Sequence, residues 1–285
     1  MYKVSRVSVQ DVYERTPELK KKEVEGILTW THNQRHLPKI TEYEAAIFHH
    51  SRYFNFEETK KAIDIYFTHR AKNPNIFRDR DPQSDELRPV IESQVFYPLP
   101  KTLPSGYSGM FFAFVNPDTK KFNCTSTLKL GSFLIFRASM MMDYWHMTEG
   151  ISKGHSLVVN MQGFSLGHLF RLHIGPLRAF VAFAQEYIPL RLKEIHFVNS
   201  NRVTQRFIGI LKPFLKKEVY EMMKIHTSME AAYECIPREY FPSDLGGSWK
   251  STAQLQEDMT SILMENKKNF QDEETERNVE ESLRG

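Results

Sequence analysis

The pattern of apolar and polar positions in the first 90 residues predicts helices and no strand. In residues 56–70, Ile63, Tyr66 and Phe67 recur with the spacing of one helical face. Capping signals precede this segment and another upstream of it. We therefore expect an all-helical N-terminal domain, residues 1–88.

Short apolar runs alternate with helical patterns in the second part of the chain. The runs at 109–115, 155–162 and 194–198 have the length of buried strands. A long segment at 127–147, apolar nearly all round, and a helix opened by Gly175-Pro176 separate them. Strands that alternate with helices predict an α/β fold with a mainly parallel sheet.

Composition places the domain boundaries. Residues 73–107 are rich in Pro, Asp and Ser, which favours a linker, and Gly246-Gly247 closes the second domain. We place the α/β domain at residues 89–250. Residues 251–285 are predicted to form a surface helix followed by an acidic tail without fixed structure.

Composition and charge narrow the class of protein. The 285 residues are 41% apolar and include 21 Phe and 12 Met. Phe and Met fill irregular space and adapt to ligands, although a Phe-rich core accounts for the same numbers. The net charge of +3 suits an anionic surface as partner. It is far from the dense basic stripe of a nucleic-acid-binding protein, so we expect no nucleic-acid partner.

Cysteine and hydropathy patterns indicate a reducing compartment. Cys124 and Cys235 provide neither a disulfide framework nor a metal cluster, and the 11 histidines show no metal-ligand spacing. No apolar run reaches the roughly 20 residues of a membrane span, and the first residues lack the apolar segment of a secretory signal. We expect a cytoplasmic monomer without a metal or cofactor.

Gly163–Gly167 matches G-x-S-x-G, the nucleophile turn of serine hydrolases, and it follows a strand as that turn does. However, no HGGG-type loop precedes it, and one good strand candidate follows Ser165. The acid and histidine would have to be Glu218 or Glu221 and His226, from within one helix, which is poor geometry for a proton relay. A short glycine-containing turn is favoured, and a serine hydrolase is the enzymatic alternative.

One further segment combines a cation pair with a jointed apolar helix. Arg191 and Lys193 point to the same side of a strand, where they could chelate a phosphate, although a solvated strand end also explains them. Pro213 removes the helical hydrogen bond to the Gly209 carbonyl, which predicts a kink or a break. The segment 203–211 is then either a movable lid or part of a fixed helix corner.

These motifs resemble the CRAL-TRIO (Sec14-like) lipid-transfer family over most of residues 40–250. The most specific match is 189–199, PLRLKEIHFVN, which is similar to the signature P-L-K-x-R-x-I-H-x-I-N. Residues 212–215, KPFL, match a second family motif, and 241–247 are similar to its closing L-P-x-E-Y-G-G. The tocopherol- and retinoid-carrying members are the most similar.

The resemblance implies an all-helical N-terminal domain and an α/β domain whose mainly parallel sheet encloses a hydrophobic pocket. It implies a carrier of one hydrophobic small-molecule lipid, tocopherol or a similar isoprenoid, without catalytic chemistry. Residues 203–211 would belong to a mobile gate. The residues expected to line the pocket are Phe133, Phe136, Met140, Tyr144, Phe164, Leu177, Phe180, Ile195, Phe197, Phe207, Ile210 and Leu211.

The resemblance also implies a phosphoinositide head group beside the gate. Glu218 and Met222 stand where the family has further cations, and neighbouring lysines could replace those only in a shifted register. The expected protein associates peripherally with anionic membranes and transfers its lipid there. A sensor that binds lipid without transferring it is the alternative. The predicted phosphoinositide-binding residues are Arg191, Lys193, Arg52 and Lys217.

Overall fold

Helices occupy the N-terminal part of the chain in the computed structural model, which describes residues 8–130 and 151–284. Thr41 and Glu44 form a reciprocal capping box at the start of the third helix, and the Asn55 side chain caps the fourth. The prediction of a helical N-terminal region is confirmed. The helices are α1 (Val9–Arg15), α2 (Lys21–Asn33), α3 (Glu42–Ser51), α4 (Phe56–Lys72), α5 (Pro74–Phe77) and α6 (Arg88–Ser93).

Five strands form one sheet in the order β1-β2-β3-β4-β5. The first pair is antiparallel and the other three are parallel, so the predicted mainly parallel α/β sheet is confirmed. The apolar pattern missed the two edge strands, because β1 lies in the polar stretch taken for a linker and β5 has only three residues. The strands are β1 (Gln94–Pro98), β2 (Ser108–Phe114), β3 (His155–Asn160), β4 (Leu192–Val198) and β5 (Met223–Ile225).

Further helices connect and cover these strands. Of the helix expected at 127–147, residues 127–130 belong to α7, which begins at Cys124, and the rest lies outside the described residues. The helices of this part of the chain are α7 (Cys124–Leu130), α8 (Leu166–Leu169), α9 (Ile174–Glu186), α10 (Arg202–Leu211), α11 (Lys217–Glu221), α12 (Met229–Tyr233), α13 (Thr252–Glu265) and α14 (Lys267–Glu276).

The two faces of the sheet bury different side chains, because successive residues of a strand point to opposite sides. On β4, Ile195 and Phe197 join the larger core, which includes residues of α7, α9 and α10. Val198, together with Val158 of β3, joins a smaller core formed with residues near α12. We call these the first and the second face.

The C-terminal residues are more ordered than the sequence predicted. Helix α13 buries one face through Leu255, Met259 and Leu263, and its opposite face, with Gln254 and Glu257, is exposed, as expected of the predicted surface helix. The acidic end predicted to lack fixed structure folds back along the helical domain. There Glu274 accepts hydrogen bonds from the backbone nitrogens of Asp79 (2.9 Å) and Arg80 (3.0 Å) and from Arg80 Nε (2.9 Å). Contacts with cations and backbone N–H groups offset the charge repulsion on which the prediction of disorder rested.

Pro213 ends α10 rather than bending it. The helix ends at Leu211, and a 3-10 turn over Lys212–Phe214 follows with the proline at its second position. A proline has no N–H to donate, and at the start of a helical turn none is needed. Among the described residues, no helix is long and apolar enough to cross a membrane.

Candidate functional site

A left-handed turn brings Tyr53 to the edge of β4. Tyr53 and Phe54 have φ angles of 51° and 62°, a conformation that non-glycine residues rarely adopt. The turn places the Tyr53 ring 4.2 Å from Arg191 Cζ and 5.2 Å from Lys193 Nζ. Lys193 Nζ also donates a hydrogen bond to the Tyr53 hydroxyl at 2.8 Å. The two cations of the strand therefore share one exposed aromatic ring.

Two arginines cross between the helical domain and the sheet. Arg52 Nη2 donates to the carbonyl of Ile188 at 2.8 Å, and Arg191 Nε donates to the carbonyl of His50 at 2.9 Å. Each guanidinium is thus held by the backbone of the other domain. Long side chains fixed in this way lose less conformational entropy when they bind a ligand.

These arginines line a groove of about 450 Å³, which we call the cation groove; Arg52, Tyr53, Arg191 and Lys216 are among its lining residues. Within the part of the chain that the structure describes, Arg52 Nε and Arg191 Nη2 are buried and have no hydrogen-bond partner. Burial lowers the pKa of both guanidiniums, which nevertheless remain charged at neutral pH. Because both charged residues line the groove, an anionic acceptor there would be stabilised.

The four predicted cations are distributed unevenly around the groove. Arg52 and Arg191 line it, and Lys193 lies at its edge against Tyr53. Lys217 is exposed on α11 and lies 3.7 Å from Glu221. Its neighbour Lys216 lines the groove. Sequence reasoning missed Tyr53, whose only signal was its position directly after Arg52.

Most of the predicted pocket residues that the structure describes meet in the first-face core. Phe164 and Phe207 contact each other with ring centroids 5.3 Å apart, which joins the turn after β3 to α10. Ile210 is only partly buried, and Ile208 of the same helix is buried instead. Phe133, Phe136, Met140 and Tyr144 lie outside the described residues. The buried members of the predicted set are Phe164, Leu177, Phe180, Ile195, Phe197, Phe207 and Leu211.

Exposed apolar side chains follow β3, in and after α8, which contacts α10. Phe170 is 85% exposed, and Leu166 and Ile174 are 42% and 46% exposed. We call these three residues, which fall within one short segment of the chain, the apolar patch; sequence reasoning did not single them out. Exposed apolar side chains are the kind that meet another apolar phase.

The G-x-S-x-G segment serves as a helix start. Ser165 is the N-cap of α8, and its Oγ lies 2.9 Å from His168 Nδ1, which also accepts from the Ser165 backbone nitrogen at 3.1 Å. His168 is fully buried, and its Nε2 has no hydrogen-bond partner within the described ranges. A catalytic histidine needs a group that orients its second nitrogen. The described residues supply none here, which favours the glycine turn over the hydrolase.

Potential metal ligands meet on the second face. His196, His226 and Cys235 bring one ligand atom each within 4.8 Å of one another. The intervals between these three residues in the sequence match no known metal-binding motif.

Comparisons with known proteins cover both parts of the chain. Residues 16–87 match the family described as Pinta-like, UBA domain, and residues 98–247 match the CRAL/TRIO domain. The alpha-tocopherol transfer protein-like protein of Homo sapiens is 24% identical over 205 residues, which cover 70% of this chain and 57% of that protein. Clavesin-2 of Homo sapiens is 21% identical over 201 residues, which cover 70% of this chain and 60% of that protein. The match thus spans less than two thirds of these relatives.

A solved structure is also similar. The crystal structure of Sfh5 aligns with 80% of this chain and 83% of its own, at 12% identity and a TM-score of 0.42.

Proposed function

This chain belongs to the CRAL/TRIO family, and we propose that it is a cytoplasmic carrier that binds one hydrophobic lipid, tocopherol-like or a similar isoprenoid, and transfers it at membranes. It acts as a monomer without catalytic chemistry, and a phosphoinositide head group contacts the cation groove. Two free cysteines suit a reducing compartment. The boundaries at residues 88 and 250 and the gate at 203–211 are part of the proposal.

The first-face core supports the lipid part of the proposal. Phe164, Phe207 and Leu211 are buried in this core. An apolar ligand beneath α10 would contact these side chains in place of their present apolar neighbours. Burial of about 400 Å² of apolar ligand surface would contribute about 10 kcal/mol, at about 25 cal/mol per Å². Such a ligand needs no charged partner in the protein.

The cations of the groove carry the phosphoinositide part of the proposal. Arg52 and Arg191 are held in place by backbone carbonyls, and they line one groove with Lys216. Phosphate oxygens accept several charge-assisted hydrogen bonds from guanidinium groups. A phosphorylated head group in the groove would meet all three cations.

The apolar patch supports contact with a bilayer. Leu166 is exposed on α8, which contacts α10, the helix that the proposal assigns to the gate, and the exposed Phe170 and Ile174 follow α8 in the chain. Apolar side chains that enter the interface and cations that meet anionic lipids both add to membrane affinity, the latter by about 1 kcal/mol each. The patch would orient the gate toward the membrane.

Lipid carriage is tested on the full chain purified from cells. Mass spectrometry of co-extracted lipid should find about one isoprenoid molecule per protein, and the protein should accelerate tocopherol transfer between vesicles. Absence of co-purified lipid together with no acceleration would contradict a carrier. Bound lipid without acceleration would support the sensor instead.

The head-group site is tested with vesicles that contain phosphoinositide. Arg191→Ala with Lys193→Ala removes two cations, worth about 2 kcal/mol, so affinity should fall about 30-fold. The matched control, Lys22→Ala with Lys101→Ala, removes the same charge from exposed positions and should weaken binding much less. Equal losses for both double variants would mean that net charge alone, and not the groove, binds the membrane.

A further inference from the structure

Two histidines face each other on the second face of the sheet. His196 lies on β4, and His226 directly follows β5. Their ring planes differ by 4°, and His196 Nδ1 lies 3.0 Å from His226 Nε2. Both side chains are buried. The proton content of these two nitrogens therefore depends on what the outer nitrogen of each ring contacts.

The outer nitrogen of His196 contacts a carboxylate. Its Nε2 lies 3.4 Å from Glu194 Oε2, and Lys224 Nζ holds the other carboxylate oxygen at 2.6 Å. An ionised carboxylate only accepts hydrogen bonds, so Nε2 carries the ring proton and Nδ1 presents a lone pair.

His226 can present its own lone pair at the same point. In a neutral imidazole one ring nitrogen carries the proton and the other accepts, so a proton on Nδ1 leaves the His226 Nε2 lone pair directly opposite that of His196.

Two lone pairs 3.0 Å apart repel each other unless a cation lies between them. A metal ion bound by both nitrogens would remove the repulsion. Carboxylates that orient metal-bound histidines, as Glu194 orients His196, are a regular feature of zinc sites.

Cys235 completes a donor set of two imidazoles and one thiol. It is exposed, free of a disulfide, and within 4.8 Å of a ring nitrogen of each histidine. Tetrahedral zinc with Zn–N bonds of about 2.0–2.1 Å requires ligand nitrogens about 3.3 Å apart, close to the separation of the two histidines. We propose that His196 Nδ1, His226 Nε2 and Cys235 Sγ bind one Zn²⁺ or a similar divalent cation. Thiolate and imidazole together favour such borderline-soft metals over Mg²⁺ or Ca²⁺.

This site is independent of the proposed lipid carriage, because it lies on the opposite side of the sheet from the first-face core. An ion there would join β4, the end of β5 and the residues after α12. Its binding free energy would stabilise the fold, since the unfolded chain does not hold the three ligands together.

Cobalt spectroscopy on the metal-stripped full chain tests the proposal. One equivalent of Co²⁺ should produce a thiolate-to-cobalt absorption band, and Zn²⁺ should abolish it by displacement. Cys235→Ser should remove the band, weaken Zn²⁺ binding at least tenfold and abolish the increase in Tm on Zn²⁺ addition. The matched control Cys124→Ser changes the other cysteine, buried at the start of α7, and should retain all three signals.

Two results would overturn the site. Stoichiometric Co²⁺ binding could be absent from the wild-type chain, in which case the histidines share an ordinary N–H···N hydrogen bond. Alternatively, Cys235→Ser could bind Zn²⁺ as tightly as the wild type. Because Cys235 is exposed, Cys235→Ser should fold. The binding measurement on Cys235→Ser therefore remains valid even if a variant of the buried histidine, His226→Gln, fails to fold.

Discussion

The guanidinium carbon of Arg191 lies 4.2 Å from the centre of the Tyr53 ring, so a cation directly before β4 stacks on a residue from the helical domain. Lys193 donates to the hydroxyl of the same tyrosine at 2.8 Å. Tyr53 therefore contacts both cations that the sequence suggested would act as a pair. The head-group site depends on this contact between domains as much as on the strand.

Tyr53 and Arg191 should be energetically coupled. A double-mutant cycle of Tyr53→Ala and Arg191→Ala should give a coupling of about 0.5–1 kcal/mol, the magnitude of an exposed cation–π contact. Urea unfolding measures it. Strictly additive effects would mean that the stacked geometry contributes nothing in solution.

Phe170→Ser should weaken binding to vesicles without weakening the fold. The side chain is 85% exposed, so little stability is lost, whereas burial of a phenylalanine in a bilayer contributes about 1.5–3 kcal/mol. Vesicle co-sedimentation should show at least a tenfold loss of affinity. Met264→Ser, which removes an exposed apolar side chain from α13, is the control and should bind as the wild type does.

Glu274→Ala should lower the free energy of unfolding by about 2 kcal/mol. Its carboxylate accepts from Arg80 Nε and from two backbone nitrogens, and hydrogen bonds to charged groups contribute about 1.5–3 kcal/mol. Asp85→Ala, which breaks an exposed ion pair with Arg88, should change stability by less than about 0.5 kcal/mol. Similar values for the two variants would indicate that the C-terminal helix does not dock.

Stability should fall as the pH decreases below about 6.5. Burial lowers the pKa of His50 to about 3, helped by the nearby Arg191 charge and by His155, whose own pKa burial lowers to about 3. In the unfolded chain both titrate near 6.5. Between about pH 6.5 and 3 the unfolded state thus binds more protons, and each group reduces the unfolding free energy by about 1.4 kcal/mol per pH unit.

Replacing one of these histidines should make that dependence shallower. His50→Gln should reduce the slope between pH 6 and 4.5 by about 1.4 kcal/mol per pH unit, measured by urea unfolding at each pH. A slope identical to that of the wild type would show that His50 is protonated in the native protein over this range.

Two glycine substitutions should have opposite effects. At Gly209, no described atom lies within 4 Å of the position of an added Cβ, so Gly209→Ala should stabilise α10 by about 0.5–1 kcal/mol. At Gly247, an added Cβ would lie 1.8 Å from the backbone oxygen of Phe241, so Gly247→Ala should destabilise the fold. Thermal unfolding measures both, and destabilisation by Gly209→Ala would mean that α10 needs a flexible residue there.

Local patterns in the sequence determined much of the architecture. The helical spacing of Ile63, Tyr66 and Phe67 predicted a buried face, and all three are buried in the helical domain. The apolar runs around Val158 and Phe197 predicted buried strands, and these two strands pair in the sheet. These features are readable because periodicity follows directly from backbone geometry, with 3.6 residues per helical turn and 2 per strand repeat.

Only the tertiary structure decided which polar residues meet. Tyr53 reaches Arg191 across 138 positions of the sequence, and His226 reaches His196 because β5 pairs with β4. Glu274 meets Arg80 because the chain folds back after α13. Periodicity states which side of an element is apolar, but not which element will cover it. Contacts between distant residues depend on loop conformations and on the packing of the whole chain, to which each local pattern contributes only a part.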